Sequence, residues 1–137
     1  MQKSKKLFTH VKLLSITDEV TAFLERKKLD YMLIGALACS YWKYTRATLD
    51  LDFMVQIVGK ELKDLKKLVC QNGFEINESW AKANPLISRV CLRTKYKGVV
   101  VDFLMPYDDH DLQAMTRRKR RKSSDEKKIW VTSPEDL

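Results

Sequence analysis

The chain has 137 residues, a net charge of +8 and a pI near 9.4, and 45% of its residues are hydrophobic. This size predicts one domain, residues 1–137, with a single core. No apolar run approaches the about 20 residues of a membrane span, and the basic N-terminus lacks the apolar segment of a secretory signal, so we expect neither. The excess of positive charge favours anionic partners.

Cysteine usage indicates a reducing compartment. Cys39, Cys70 and Cys91 are odd in number, far apart and set in apolar surroundings, which predicts reduced thiols and a cytoplasmic location. With two histidines and no Cys-x-x-Cys motif, a zinc site is not expected.

The first half of the chain alternates helical and strand patterns. The N-terminal spacing predicts helix with a break around Ser15–Asp18, and Thr17 is expected to cap a helix that runs to about Lys28. The elements predicted next are a strand at Tyr31–Ile34, a helix from Gly35 to Tyr44, a strand at Ala47–Ile57 and an amphipathic helix at Lys60–Asn72.

The second half predicts further strands and one helix. These are a short strand at Phe74–Ser79, a hairpin of Leu86–Thr94 with Val99–Leu104, a helix at Asp108–Arg121 and a last strand at Lys128–Val131. The pattern predicts an α/β (α+β) fold, a mixed twisted sheet of about five strands with helices packed on it.

Two aspartates interrupt the apolar strand at 47–57. Asp50 and Asp52 alternate with Leu51 and Phe53, so both carboxylates point to one face of the strand. Like charges on one face repel each other, and a hard cation such as Mg²⁺ relieves the repulsion. A strand end exposed to water is the alternative interpretation of an isolated Asp-x-Asp.

The surroundings of these aspartates follow a known order. A strand ending in Gly35 is followed by a helix, by Arg46-Ala-Thr-Leu-Asp-Leu-Asp52, and later by a third strand with the single carboxylate of Asp102. This order resembles the nucleotidyltransferase superfamily of DNA polymerase beta type, and most of all its minimal toxin-type branch, related to abortive-infection nucleotidyltransferases. The resemblance runs from about Leu29 to the end, where Val131–Leu137 is similar to a segment that leads into a final helix in that family.

The resemblance implies roles for the matching residues. Asp50, Asp52 and Asp102 would be the catalytic carboxylates and would hold two Mg²⁺ or Mn²⁺ ions, and Asp102 could also act as the base for an acceptor hydroxyl. A solvent-facing residue on a hairpin is the alternative for Asp102.

Four further residues would bind the nucleotide. Gly35 and Ala36 would contact phosphate through backbone amides, unless Gly35 is an ordinary turn glycine. Arg46 would contact the triphosphate or acceptor, or else pair with Asp50 or Asp52. Thr48 belongs to the same motif, and a structural hydrogen bond is the simpler role for it.

Six consecutive cations form the basic run: Arg117, Arg118, Lys119, Arg120, Arg121 and Lys122. The run predicts nucleic-acid binding along an RNA backbone or a localisation signal, and a solvated segment is the alternative. It has no interleaved aromatic residues, which argues against base stacking there. Trp80 could stack on a base, and a surface loop without that role is the alternative we favour for it.

The function expected from the resemblance is Mg²⁺-dependent transfer of a nucleoside monophosphate from an NTP to a hydroxyl of RNA (for example tRNA), of protein or of a small molecule. The toxin-type branch also implies an antitoxin partner. The alternative is an inactive module that binds nucleic acid or protein. Ala36, where the family has Gly or Ser, and the end of the chain where the family's final helix should begin favour the alternative; the three aspartates favour the enzyme.

Overall fold

The computed structural model describes residues 2–42, 50–57, 61–123 and 127–137, with side chains described from Lys12 onward. The helices are α1 (Gln2–Arg26), α2 (Gly35–Tyr41), α3 (Leu62–Cys70), α4 (Glu78–Ala83) and α5 (Asp109–Thr116). The strands are β1 (Asp30–Ile34), β2 (Asp50–Gln56), β3 (Glu75–Ile76), β4 (Cys91–Tyr96), β5 (Val99–Leu104), β6 (Lys119–Lys122) and β7 (Lys128–Val131). Short 3-10 turns occupy Ile87–Arg89 and Pro134–Asp136.

One mixed sheet organises the described chain, with the strand order β3-β4-β5-β2-β1-β7-β6. The pairs β2–β5 and β1–β7 are parallel, and the other neighbours are antiparallel. The expected α/β (α+β) class with a mixed sheet is therefore confirmed, but the sheet has seven strands rather than about five.

The two faces of the sheet bury separate apolar clusters. The larger cluster joins α1, α2 and α3 to one face and includes Tyr31, Phe53 and Phe103. Burying each such side chain fully stabilises the fold by about 1.5–3 kcal/mol. The smaller cluster packs Met32 and Met54 of the opposite face against α5. Because Asp52 and Met54 share a face, the carboxylates lie on the α5 side of the sheet.

The N-terminal helix corrects one prediction. α1 is continuous from Gln2 to Arg26, without the expected break at Ser15–Asp18. Thr17 does not cap a helix; its side chain is buried in mid-helix and donates to the Leu13 carbonyl at 2.6 Å. A threonine hydroxyl inside a helix commonly bonds to the carbonyl one turn back, which leaves the helix intact.

Several element boundaries also differ from prediction. Within 74–79 only Glu75–Ile76 is strand, because the Asn77 side chain accepts from the Trp80 amide at 2.9 Å and caps α4. The strand expected at Leu86–Thr94 is β4, which begins at Cys91 and runs on to Tyr96.

The helix expected at Asp108–Arg121 ends at Thr116, and the basic run forms β6 instead. Arginine and lysine are good helix formers, but pairing of β6 with β7 overrides this local preference. In the described part of the chain, no helix has the length and apolar character needed to cross a membrane.

Candidate active site

Three carboxylates come together on the α5 face of the sheet. Asp50 is exposed at the start of β2, Asp52 is half-buried two residues later, and Asp102 of β5 is buried. Parallel pairing places Asp52 directly beside Asp102 in register. The structure thus places Asp52 beside Asp102, with Asp50 two residues before Asp52 on the same face of the sheet.

The environment of Asp52 opposes its ionisation. Burial is the main cause, followed by the negative charges of Asp102 and Asp50, and together they raise the pKa of Asp52 to about 6. A hydrogen bond with Asp102 acts in the same direction, and Arg93 partly opposes them. A positive ion at this place would relieve the repulsion between the carboxylates.

Arg93 of β4 holds Asp102 through two parallel hydrogen bonds. Its Nε donates to Oδ1 and its Nη2 donates to Oδ2, each at 2.9 Å. The guanidinium also lies over the ring of Trp80, 4.6 Å from its centroid. This two-pronged pairing fixes the orientation of the carboxylate as well as balancing its charge.

Arg93 is a site residue that the sequence prediction missed. The signal was present in the hairpin, where Tyr96 pairs with Val99 and Lys97–Gly98 form a two-residue turn with positive φ at both positions. Counting back from this turn puts Arg93 opposite Asp102. We predicted a longer loop, 95–98, and a hairpin with that loop would place a different residue opposite Asp102.

Gly35 joins β1 to α2 beside Asp52. Its φ of +75° confirms the expected left-handed turn, which only glycine adopts without strain. A Cβ at this position would overlap the Asp52 Oδ2 atom, so the glycine also permits close approach of the backbone to the carboxylate. Ile34 precedes α2 without a side-chain cap, and Gly35 and Ala36 form its first turn.

Two predicted nucleotide-binding residues, Arg46 and Thr48, lie outside the described residues. Among the residues that are described, no group of three or more His, Cys, Asp or Glu side chains is placed to hold a metal ion. The donor chemistry of the carboxylate group nevertheless suits Mg²⁺, because oxygen ligands are those that this ion prefers. Burial raises the pKa of the neighbouring Cys91 to about 11, so its thiol is protonated near neutral pH in the protein alone.

The basic run is divided between structural and outward-facing cations. Arg117 forms two hydrogen bonds with Asp136 at 2.9 and 2.7 Å, and Arg118 lies 3.6 Å from Asp30. Arg121 donates to the Tyr41 carbonyl at 3.3 Å. The remaining three side chains, those of Lys119, Arg120 and Lys122, are exposed.

Aromatic rings from other segments lie beside the run, although none is interleaved in its sequence. Arg118 and Arg120 lie over Trp130, at 4.4 and 4.5 Å, and Arg121 lies over Trp42 at 4.4 Å. The rings come from α2's end and from β7, so only the tertiary fold places them beside the cations. Trp80 lies in α4 rather than in a loop, stacked on Arg93.

Comparison with known proteins identifies the fold. No protein-family model and no curated protein sequence matches the chain. A solved structure from Thermotoga maritima, described as a "putative nucleotidyltransferase", matches 91% of this chain and 80% of its own with a TM-score of 0.66 and 11% sequence identity. The chain therefore has a nucleotidyltransferase-like fold, whereas the toxin-type branch stays a prediction.

Proposed function

We propose that this protein transfers a nucleoside monophosphate from an NTP to a hydroxyl group, with Mg²⁺ or Mn²⁺ as its cofactor. The observation that carries the proposal is the group of Asp50, Asp52 and Asp102 on one face of the sheet, with the Gly35 turn against Asp52. The nucleotidyltransferase-like fold supports the same reaction class.

The three aspartates would be the metal ligands. When bound there, Mg²⁺ or Mn²⁺ would neutralise phosphate charge and increase the acidity of the acceptor hydroxyl. Asp102 would accept the proton of that hydroxyl, and Arg93 would hold the Asp102 carboxylate in place through its two hydrogen bonds. Burial and, after it, repulsion by Asp102 and Asp50 raise the pKa of Asp52 in the protein alone, and a cation bound at this place would relieve the repulsion.

The nucleotide would lie beside the Gly35 turn. The amides of Gly35 and Ala36 in the first turn of α2 would donate to phosphate oxygens, since Ile34 supplies no side-chain cap. Ala36 can donate its backbone amide to phosphate, but it lacks the side-chain hydroxyl that a serine would have at this position. By resemblance alone, Arg46 and Thr48 complete the nucleotide site.

For the acceptor, we propose RNA ahead of a protein or small-molecule hydroxyl. The net charge of +8 and the basic run favour a polyanion, to which Arg117, Arg118, Lys119, Arg120, Arg121 and Lys122 would contribute positive potential. The resemblance further leads us to propose a toxin-type role in the cytoplasm with an antitoxin partner.

Calorimetry of Mn²⁺ binding in the presence of a non-hydrolysable NTP tests the site. We expect heat of binding for the parent and little or none for Asp52→Asn. Asp109→Asn removes one carboxylate from an exposed position of α5 and should bind like the parent. Absence of heat in the parent would contradict the proposed site. Transfer of label from each of the four NTPs to total RNA then tests the reaction and its acceptor.

A second candidate is a nucleic-acid-binding module without transfer activity. It is favoured by the engagement of both Asp102 oxygens with Arg93 and by Ala36 in the glycine turn. This candidate predicts RNA binding by the parent together with no Mn²⁺–NTP heat and no label transfer.

A further inference from the structure

A groove of about 550 Å³ lies between α1, α2 and the β6–β7 hairpin. Four cations line it: Arg120, Arg121, Lys122 and Lys128. Ser40 and Tyr41 of α2 form the opposite wall. We call this surface the basic groove. Lys128 lies outside the basic run in sequence and reaches the groove because β7 pairs with β6.

The residues that line the basic groove carry positive charge only, and the carboxylate of Asp18 lies near its wall, where it accepts from the Ser123 hydroxyl at 2.5 Å. No described carboxylate lines the groove, and none of its four cations forms an ion pair with a described residue. Lys122 and Lys128 are direct cross-strand partners, and like charges so placed destabilise a hairpin. An anion in the groove would relieve this repulsion.

The walls of the groove are held in place by packing. Arg121 is fixed over Trp42 and donates to the Tyr41 carbonyl. The Tyr41 hydroxyl is within hydrogen-bond distance of the Ser123 hydroxyl at 3.3 Å. Cations that are already ordered lose less side-chain entropy when they bind a ligand.

We infer that the basic groove binds the phosphate backbone of a single-stranded nucleic acid. Grooves that bind single strands combine cations along the backbone with aromatic rings on which bases stack. The basic groove has four cations and the Tyr41 ring, and Arg120 lies over Trp130 beside it. Binding to a phosphate backbone rests on the groove alone, whereas the choice of RNA rests on the proposed function.

The test measures binding of a fluorescent oligouridylate by anisotropy, without NTP or divalent ion, at salt concentrations from about 50 to 200 mM. The test variant is Arg120→Ser/Lys122→Ser/Lys128→Ser. The matched control, Arg89→Ser/Lys67→Ser/Lys82→Ser, removes the same charges from exposed positions elsewhere. We expect the test variant to flatten the log–log salt slope by about two units, since each phosphate contact on a single strand contributes about 0.7. The control should keep the slope of the parent.

Equal slopes in parent and test variant would overturn the inference. If the test variant then also self-associates in size-exclusion chromatography, the cations protect the exposed edge of β6 instead. Lys122→Ser/Lys128→Ser is a second variant that relieves the like-charge pair; it should fold at least as well as the parent and flatten the slope by about 1.4 units.

Competitors identify the ligand class. Polyglutamate of equal charge should compete weakly, and competition as strong as that of oligouridylate would overturn the inference in favour of an acidic protein. Inorganic triphosphate should compete weakly, and equal competition would overturn the inference in favour of a small phosphate ligand. Absence of Mn²⁺–NTP heat in the parent, with the expected change in salt slope, would contradict only the transferase proposal. Equal salt slopes, with Mn²⁺–NTP heat in the parent, would contradict only the groove, so the two failures give different results.

Discussion

Asp52 and Asp102 lie side by side in register on the parallel strands β2 and β5. Asp102 keeps a cationic partner in Arg93, whereas burial and the neighbouring carboxylates raise the pKa of Asp52 to about 6. The folded protein therefore accommodates an ionised Asp52 at a cost in stability. Binding sites commonly contain ionisable groups that lower the stability of the free protein and are stabilised when a ligand binds.

Replacing Asp52 tests this cost. Because its pKa is higher in the folded than in the unfolded protein, Asp52 binds a proton preferentially in the folded state, and stability falls as pH rises from about 4 to about 6. We expect Asp52→Asn to raise the urea midpoint at pH 7 and to leave it nearly unchanged at pH 4, in buffer without divalent ions. Asp109→Asn, a change in an exposed carboxylate of α5, is the control. A lower midpoint for Asp52→Asn at pH 7 would show that the carboxylate stabilises the fold.

A substitution at Gly35 tests the close approach to Asp52. Gly35→Ala should destabilise the protein by about 1–2 kcal/mol for the left-handed backbone, and further because the new Cβ overlaps the Asp52 carboxylate. Gly98→Ala is matched for backbone strain, with φ of +83°, but among described atoms its Cβ would meet just the Lys12 Nζ, at 3.4 Å. The urea midpoint of Gly35→Ala should be the lower of the two. Equal midpoints would show that Asp52 moves aside without cost.

The sequence predicted the central strands because β2 alternates at strand spacing and β1 and β5 are short apolar runs. Asp50 and Asp52 interrupt an apolar run at strand spacing, and Val99–Leu104 was placed at its observed bounds. The glycine turn was predicted because the glycine ends the first apolar strand. Periodicity does not tell which strands are neighbours, so it could not predict that Asp52 lies beside Asp102. That expectation came from the order of elements in the family that the chain resembles.

The remaining features depend on contacts between distant segments. Six consecutive cations carry no apolar period, so the sequence could not show that the basic run pairs with Lys128–Val131 as a strand. The stacking of Arg121 on Trp42 joins residues far apart in the chain. Arg93 was hidden because a turn misplaced by a few residues shifts the register of the whole hairpin.

The pairing of Arg93 with Asp102 makes a prediction about stability. Arg93→Met removes both hydrogen bonds from a buried carboxylate and should cost about 2 kcal/mol of unfolding free energy. Arg93→Lys keeps the charge but not the paired geometry, and should recover part of that loss. Urea denaturation of each variant is measured both with Asp102 unchanged and combined with Asp102→Asn, which forms a double-mutant cycle. Additive losses would mean that the two side chains do not stabilise each other.

The charge of Arg93 should also affect the affinity for Mn²⁺, which calorimetry measures. In the absence of Arg93, Asp102 loses the cation with which it pairs among the described residues. We therefore expect Arg93→Met to bind Mn²⁺ at least as tightly as the parent while it loses stability without metal. Weaker Mn²⁺ binding by Arg93→Met would show that the positioning of the Asp102 carboxylate by Arg93 outweighs the effect of its positive charge.

The C-terminal segment provides a prediction for acid. Hydrogen bonds from Arg117 and Ser133 lower the pKa of Asp136 to about 2. A group whose pKa is lower in the folded protein adds stability above its unfolded pKa, and this stability is lost as pH falls from about 4 to about 2. Asp136→Asn should therefore lower the urea midpoint at pH 7 and reduce the further loss of stability between pH 4 and 2. Glu135→Gln changes the exposed neighbouring carboxylate and should leave both quantities close to those of the parent. If Asp136→Asn keeps the acid sensitivity of the parent, other carboxylates set the acid transition and the pairing with Arg117 contributes little to it.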